Sequence, residues 1–123
     1  MSQSLTLLCA RCRRPAATFS LLAGGEGEGL SRERDRIERT GFMGMTTKFG
    51  ALEFYESLIE ALKRGDYQAA RQNDPDFVAF HCWQCGQEYC EQCWLVGPPE
   101  FDEGFYDCTR ATCPAGHEQV IDD

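Results

Sequence analysis

Residues Phe80 to Trp94 read FHCWQCGQEYCEQCW and place four cysteines in twelve positions, as Cys82-x2-Cys85-x4-Cys90-x2-Cys93. A third pair, Cys9 and Cys12, stands in the opening LLCARCRR, and Cys108, Cys113 and His117 lie near the end in CTRATCPAGH. This pattern limits the fold more than any other feature. Two thiolates three positions apart grip one tetrahedral ion readily, whereas a disulfide framework scatters its cysteines. Six of the eight cysteines lie in such pairs. A chain of 123 residues also builds only a modest core, for which a bound metal is a common staple. The expectation is a single zinc-binding domain, 1–123, held by zinc rather than by disulfides.

The surroundings agree with reduced thiols. The start, MSQSLTLLCARCRRP, has no basic opening, and its apolar run is too short for the core of a signal peptide. No apolar stretch approaches the roughly 20 residues that span a bilayer. A cytoplasmic protein is expected. The formal net charge is −8, and its distribution is uneven. Residues 82–123 carry nine acids against one base, Arg110, while residues 1–81 balance. Zinc does not reverse this sign, because an ion held by three or four thiolates is itself anionic. Such a face lacks the basic footprint that nucleic acid or an anionic membrane requires. A protein partner is the expectation.

Four ligand groups emerge, enough for two closed tetrahedral sites and two zinc ions. They are Cys9/Cys12, Cys82/Cys85, Cys90/Cys93 and a C-terminal group. If the GQEY stretch between the two middle pairs is extended, it separates them by roughly 15 Å. The middle pairs are therefore assigned to different ions. Two wirings satisfy the same ligand list. In a sequential one, Cys9/Cys12 join Cys82/Cys85; in a cross-brace, Cys9/Cys12 join Cys90/Cys93, and Cys82/Cys85 join the C-terminal group. For that last group Cys113 and His117 are favoured, since Pro114 and Gly116 between them suit a tight chelating turn. Cys108, inside the strand-like GFYDCT, is the alternative to His117. His81 reads as structural or exposed rather than as a ligand.

Local patterns suggest an α+β chain: a small two-zinc finger module with short strands and an inserted helical hairpin. The zinc-binding parts are 7–25 and 77–123, and the inserted helical segment is 46–74. Residues 16–25 read as a strand. Residues 25–41, rich in both charges, read as a solvated loop or short exposed helix. In 46–64 the residues Phe49, Leu52, Tyr55, Ile59 and Leu62 follow helical spacing. Thr46 or Thr47 can cap this helix, and Gly65 can stop it. Asp66 can cap a second helix, 67–73, which Asp74-Pro75 ends. Residues 77–83 read as a strand entering the knuckle, and the end of the chain as a strand, a turn and a short return strand.

The run HCWQCGQEYCEQC resembles the heart of the FYVE zinc finger through His81, Cys82, Cys85, Gly86, Tyr89, Cys90 and Cys93. Its spacing is also similar to that of PHD fingers and the in-between-RING module. The resemblance implies a treble-clef or zinc-ribbon scaffold, cross-braced in FYVE and PHD fingers and sequential in in-between-RING modules. It does not carry over a lipid ligand, because Val78, Ala79, Phe80 and Trp83 stand where FYVE fingers place basic residues. The 69 residues between Cys12 and Cys82 also exceed the insert of those families.

Sites closed by four protein ligands leave no open position for catalysis. The zinc-deaminase, zinc-protease, P-loop and nucleophile-elbow motifs are all missing from the sequence. The expected function is a non-enzymatic zinc-binding protein whose two sites fold a protein–protein interaction surface, with Arg11, Arg13 and Arg14 offsetting thiolate charge at the first knuckle. One alternative is a RING-like adaptor of ubiquitin-type conjugation, with Trp83, Trp94, Leu95 and Pro98 lining a groove. Another is a zinc or redox sensor whose ligands are released on oxidation.

Overall fold

A computed structural model describes residues 3–27, 29, 33–50 and 53–122. Its first half is an antiparallel meander of β1 (Gln3–Leu8), β2 (Pro15–Leu22), β3 (Arg36–Thr40) and β4 (Thr46–Phe49), in the order β1-β2-β3-β4. Leu5, Phe19, Arg39 and Thr46 lie opposite one another in a row across the four strands. Two positions along, Gln3, Leu21, Ile37 and Lys48 form a second row on the same face. Phe19 and Ile37 from this face are buried.

Two helices follow, α1 (Tyr55–Arg64) and α2 (Tyr67–Asn73). α1 buries Tyr55, Leu58, Ala61 and Leu62, one face at helical spacing. Gly65 ends it in the left-handed conformation, and its N–H and that of Asp66 satisfy the carbonyls of Leu62 and Ala61. Asp66 then caps α2 by accepting from the Ala69 N–H at 3.1 Å. A 3-10 turn, Pro75–Val78, drives Phe77 and Phe80 against Phe19, with ring centroids at 5.3 and 5.8 Å. Phe42 and Tyr67 meet Phe80 edge-on at 6.2 and 5.8 Å. This aromatic cluster, just before Cys82, is the centre of the core.

The C-terminal part begins with a minimal hairpin, β5 (His81–Cys82) and β6 (Gln87–Glu88). Then come β7 (Leu95–Val96), β8 (Glu100–Asp102), β9 (Phe105–Thr112) and β10 (Glu118–Asp122). The long β9 is central: β10 and β7 flank it, and β8 folds back on it as a hairpin. One hydrophobic cluster, from Cys9 to Ile121, joins the first sheet, both helices and the C-terminal strands β9 and β10.

The α+β module, the strand near 16–25, the helix at 67–73 and the C-terminal strand pair agree with the sequence reading. Four local expectations do not. The helix expected over 46–64 starts at Tyr55, and Thr46–Phe49 is strand β4. β-Branched Thr46 and Thr47 pair with β3, and a neighbouring strand overrides helical spacing. Neither threonine caps the helix; Phe54 holds the cap position, and Leu52 lies outside the described residues. Within the charged stretch 25–41, Arg36–Thr40 is an interior strand rather than a loop or helix. The strand expected over 77–83 is a 3-10 turn followed by two strand residues, because periodicity does not separate a short buried strand from a buried helical turn. Finally, the GQEY stretch is not extended throughout, since Gly86 reverses the chain at φ 71° and β6 pairs back onto β5.

The interior strand β3 explains how so charged a segment is buried. Its arginines alternate faces. Arg36 is fully buried on the outer face, where Nε donates to Glu38 at 2.9 Å and the Nη atoms donate to the carbonyls of Arg34 and Glu26. Arg39 enters the core between the Phe42 and Phe77 rings. It donates to the carbonyls of Asp76 and Phe42 and to the Thr46 hydroxyl at 2.7, 3.1 and 3.1 Å. Burial lowers its pKa, against the opposing pull of Asp76, Asp74 and Asp122. Lys48, on the same face, pairs with Asp74 at 2.5 Å. These contacts fasten the 3-10 turn to the sheet and so position the strand that carries Cys82.

Candidate metal centre

The fold gathers eight ligand atoms into two clusters. Cys9, Cys12, Cys90 and Cys93 form one; Cys82, Cys85, Cys113 and His117 form the other. Within each, the ligand atoms all lie within 4.8 Å of one another. This grouping is that of the cross-brace rather than the sequential arrangement.

The local chain explains each knuckle. Cys9 ends the β1 approach and its carbonyl accepts from the Arg13 N–H at 3.0 Å, closing a turn around Cys12. The second knuckle repeats this, with the Gly86 N–H donating to the Cys82 carbonyl at 2.8 Å. The residue after each of these two pairs sits in the left-handed region, Gly86 at φ 71° and Arg13 at φ 68°. A glycine takes that conformation freely; Arg13 takes it at a steric cost. In the C-terminal turn the Gly116 N–H donates to the Cys113 carbonyl at 2.9 Å, and Cys113 N–H donates to the His117 carbonyl at 2.8 Å. Pro114 and Gly116 thus bring Cys113 and His117 to one point.

The separations test whether a tetrahedral ion fits. With metal–sulfur bonds near 2.3 Å, the edge of a sulfur tetrahedron is about 3.8 Å, and a sulfur–nitrogen edge is slightly shorter. Cys12 and Cys90 sulfurs stand 3.4 Å apart, and those of Cys85 and Cys113 3.7 Å. His117 Nδ1 lies 3.7, 3.2 and 3.6 Å from the sulfurs of Cys82, Cys85 and Cys113. A disulfide needs about 2.05 Å, and all eight cysteines are free. Both clusters have the dimensions of a metal site.

Electrostatics also call for a cation. Several thiols packed together do not ionise at once without one. In the first cluster burial works against ionisation of Cys9, but N–H groups of Cys12, Cys90 and Arg11 bring its pKa down to about 6. Burial and the neighbouring thiols push Cys93 up to about 12. The second cluster repeats the split. Burial opposes ionisation of Cys113, but the N–H groups of His117 and Ala115 lower its pKa to about 6, while burial raises Cys82 to about 11. Backbone donors are already aimed at sulfur, Cys85 N–H to Cys82 at 3.4 Å and Ala115 N–H to Cys113 at 3.3 Å. Such donors stabilise thiolates and orient them toward an ion.

Other singled-out residues fall elsewhere. Cys108 is buried on β9 opposite Glu100, outside both clusters. His81 is buried too, with Nδ1 at 3.2 Å from Glu88 and its ring between Tyr67 and Trp83 at 5.2 and 4.9 Å. Arg71 caps that stack over Trp83 at 4.5 Å, tying α2 to the second knuckle. Burial and the Glu88 charge push Tyr67 up to about 12. Arg11, Arg13 and Arg14 are exposed, and Arg14 donates to Gln92 beside the first cluster. Trp94 is buried with its indole N–H on the Phe80 carbonyl at 3.2 Å, so Trp83, Trp94, Leu95 and Pro98 do not line one groove. The clusters are linked by the Ala10 N–H on the Glu88 carbonyl at 2.8 Å, beside a shallow cleft lined by Arg11, Tyr89 and Pro114. The supporting residues Arg39 and Glu88 carried no sequence signal, since neither belongs to a motif.

Among the described residues no helix is long and apolar enough to cross a membrane. No curated protein and no solved structure matches the chain. The resemblance of residues 81–93 to zinc fingers remains local, since no zinc-finger family is matched. A family model does match over residues 1–123, and the chain accordingly belongs to the family described as Domain of unknown function (DUF8328).

Proposed function

We propose that this is a non-enzymatic zinc-binding protein in which two structural Zn2+ ions, one per cluster, fold a surface for contact with another protein. The observation that carries the reading is the match of both clusters to tetrahedral dimensions, with four protein ligands in each. Zinc suits a set of four thiolates and a set of three thiolates with one imidazole equally, and it needs no redox chemistry. Cys9, Cys12, Cys90 and Cys93 hold one ion; Cys82, Cys85, Cys113 and His117 hold the other. Complete ligand sets leave no open position for a substrate. The surface charge directs the search for partners toward proteins rather than nucleic acid. Native mass spectrometry with elemental analysis tests the reading. Two zinc ions per chain are expected, with cooperative unfolding on chelation. One ion, bound iron, or a metal-free folded chain overturns it.

A zinc or redox sensor is the second reading, favoured by the exposure of Cys12 beside Cys90 in the first cluster. Mild peroxide then releases one zinc with formation of a reducible disulfide. Retention of both ions under that treatment excludes it.

A further inference from the structure

The C-terminal sheet leaves its largest apolar side chains in water: Phe105 is 79% exposed and Phe101 66%. Both stand on the β8–β9 hairpin. Its two-residue turn, Glu103-Gly104, has φ of 50° and 85°, the left-handed pair that matches strand twist. Phe101 faces Tyr106 across the strands, edge to face at 6.1 Å. The Tyr106 hydroxyl donates to Asp122 at 2.5 Å and lies 2.7 Å from the Thr109 hydroxyl, which fixes the ring. The Tyr106 ring, and Phe101 packed on it, are thus placed before any partner arrives, which limits the order lost on binding. Phe105 pairs with Asp102 on the opposite face, so the tip is apolar on both sides.

The charge around this tip is one-sided. Asp102, Glu103 and Asp107 are exposed and, among the described residues, have no ion-pair partner. Arg110, the one base of residues 82–123, is committed to Glu100 at 3.0 Å and Glu118 at 3.9 Å. An exposed aromatic element rimmed by uncompensated acids is complementary to a cation-flanked apolar chain.

Building on the protein-contact reading above, we infer that the β8–β9 hairpin is the contact element, and that it takes a partner segment in which Lys or Arg alternates with apolar side chains. The apolar residues cover Phe105, the cations meet Asp102 and Asp107 on the same face and Glu103 at the tip, and Phe101 packed on Tyr106 backs the hairpin from the other face.

The test uses the full zinc-loaded chain, labelled for amide NMR, in about 150 mM salt to screen diffuse attraction. The probes are an alternating Lys–Leu peptide and an alternating Glu–Leu peptide. Saturable shifts at residues 100–107 with the first probe alone, weakened at least about tenfold in Phe101→Ser/Phe105→Ser, support the inference. Four outcomes overturn it. They are no saturable binding, equal binding by the double variant, self-association through the hairpin, or hairpin insertion into phosphatidylcholine vesicles. The two readings fail separately. Two bound zinc ions with no hairpin response remove the contact inference alone, and hairpin shifts in a folded metal-free chain remove the zinc reading alone.

Discussion

Replacing His117 by alanine removes the one non-sulfur ligand atom from the second cluster, leaving the sulfurs of Cys82, Cys85 and Cys113. Nδ1 sits 3.2–3.7 Å from all three, so a single ion bonded to them reaches it too. A structural zinc stabilises a small domain by about 10–16 kcal/mol. Spread over four ligands, one ligand contributes about 2.5–4 kcal/mol, a loss of roughly 60- to 700-fold in affinity. Cys108→Ala is the control, because Cys108 faces Glu100 on β9 and touches neither cluster. The assay is competition with a chromophoric chelator on both purified variants. His117→Ala should yield one ion to the chelator far more readily than the parent, while Cys108→Ala holds two. If His117→Ala keeps two tight ions and Cys108→Ala loses one, the second site is all-cysteine and the assignment is wrong.

Zinc removal, or Cys85→Ser or Cys90→Ser, should abolish amide protection across residues 77–122, and loss of Cys90 should also loosen the β1–β2 connection, since Cys9 and Cys12 share its cluster; retained protection in hydrogen exchange refutes this. Arg39→Met removes three hydrogen bonds of a core guanidinium, the one to the Phe42 carbonyl fully buried, and should cost about 3 kcal/mol, on the order of 10 °C in Tm, as read by calorimetry; an unchanged Tm shows that the guanidinium is dispensable. Gly86→Ala meets no atom within 4 Å, so its expected loss of about 1 kcal/mol comes from φ alone, while Arg13→Gly should gain up to about 1 kcal/mol at the matching position; opposite signs in denaturant melts refute the equivalence of the two knuckles. Zinc affinity should fall with pH, and more steeply below about pH 6, where Cys9 and Cys113 of the metal-free protein take up protons that the ion must then displace, than above it, where both are already thiolates; a slope that stays constant from pH 5 to 7.5 in competition titrations contradicts those lowered thiols.

The residues that form the two clusters were legible in sequence because a chelating turn is a local constraint. Cys-x2-Cys and Cys-Pro-Ala-Gly-His declare themselves by spacing, and the capped turn Gly65-Asp66 marks a helix boundary through its own backbone. The wiring was not legible, since a sequential and a cross-braced arrangement use the same residues. Only the path through β2 to β4 and the two helices brings Cys9 and Cys12 back to Cys90 and Cys93 rather than to Cys82 and Cys85. The strand identity of Thr46–Phe49 was likewise hidden, because helical spacing from Phe49 to Leu62 continued through it and the competing partner, β3, lies elsewhere in the chain. β3 itself was masked by composition. Arg-Ile-Glu-Arg-Thr looks solvated until Glu38 and the carbonyls of Arg34, Glu26, Asp76 and Phe42 are present to satisfy the guanidinium groups. Local chemistry chose the Cys and His groups, and long-range hydrogen bonds and strand pairing, which spacing does not encode, decided which of them come together in one cluster.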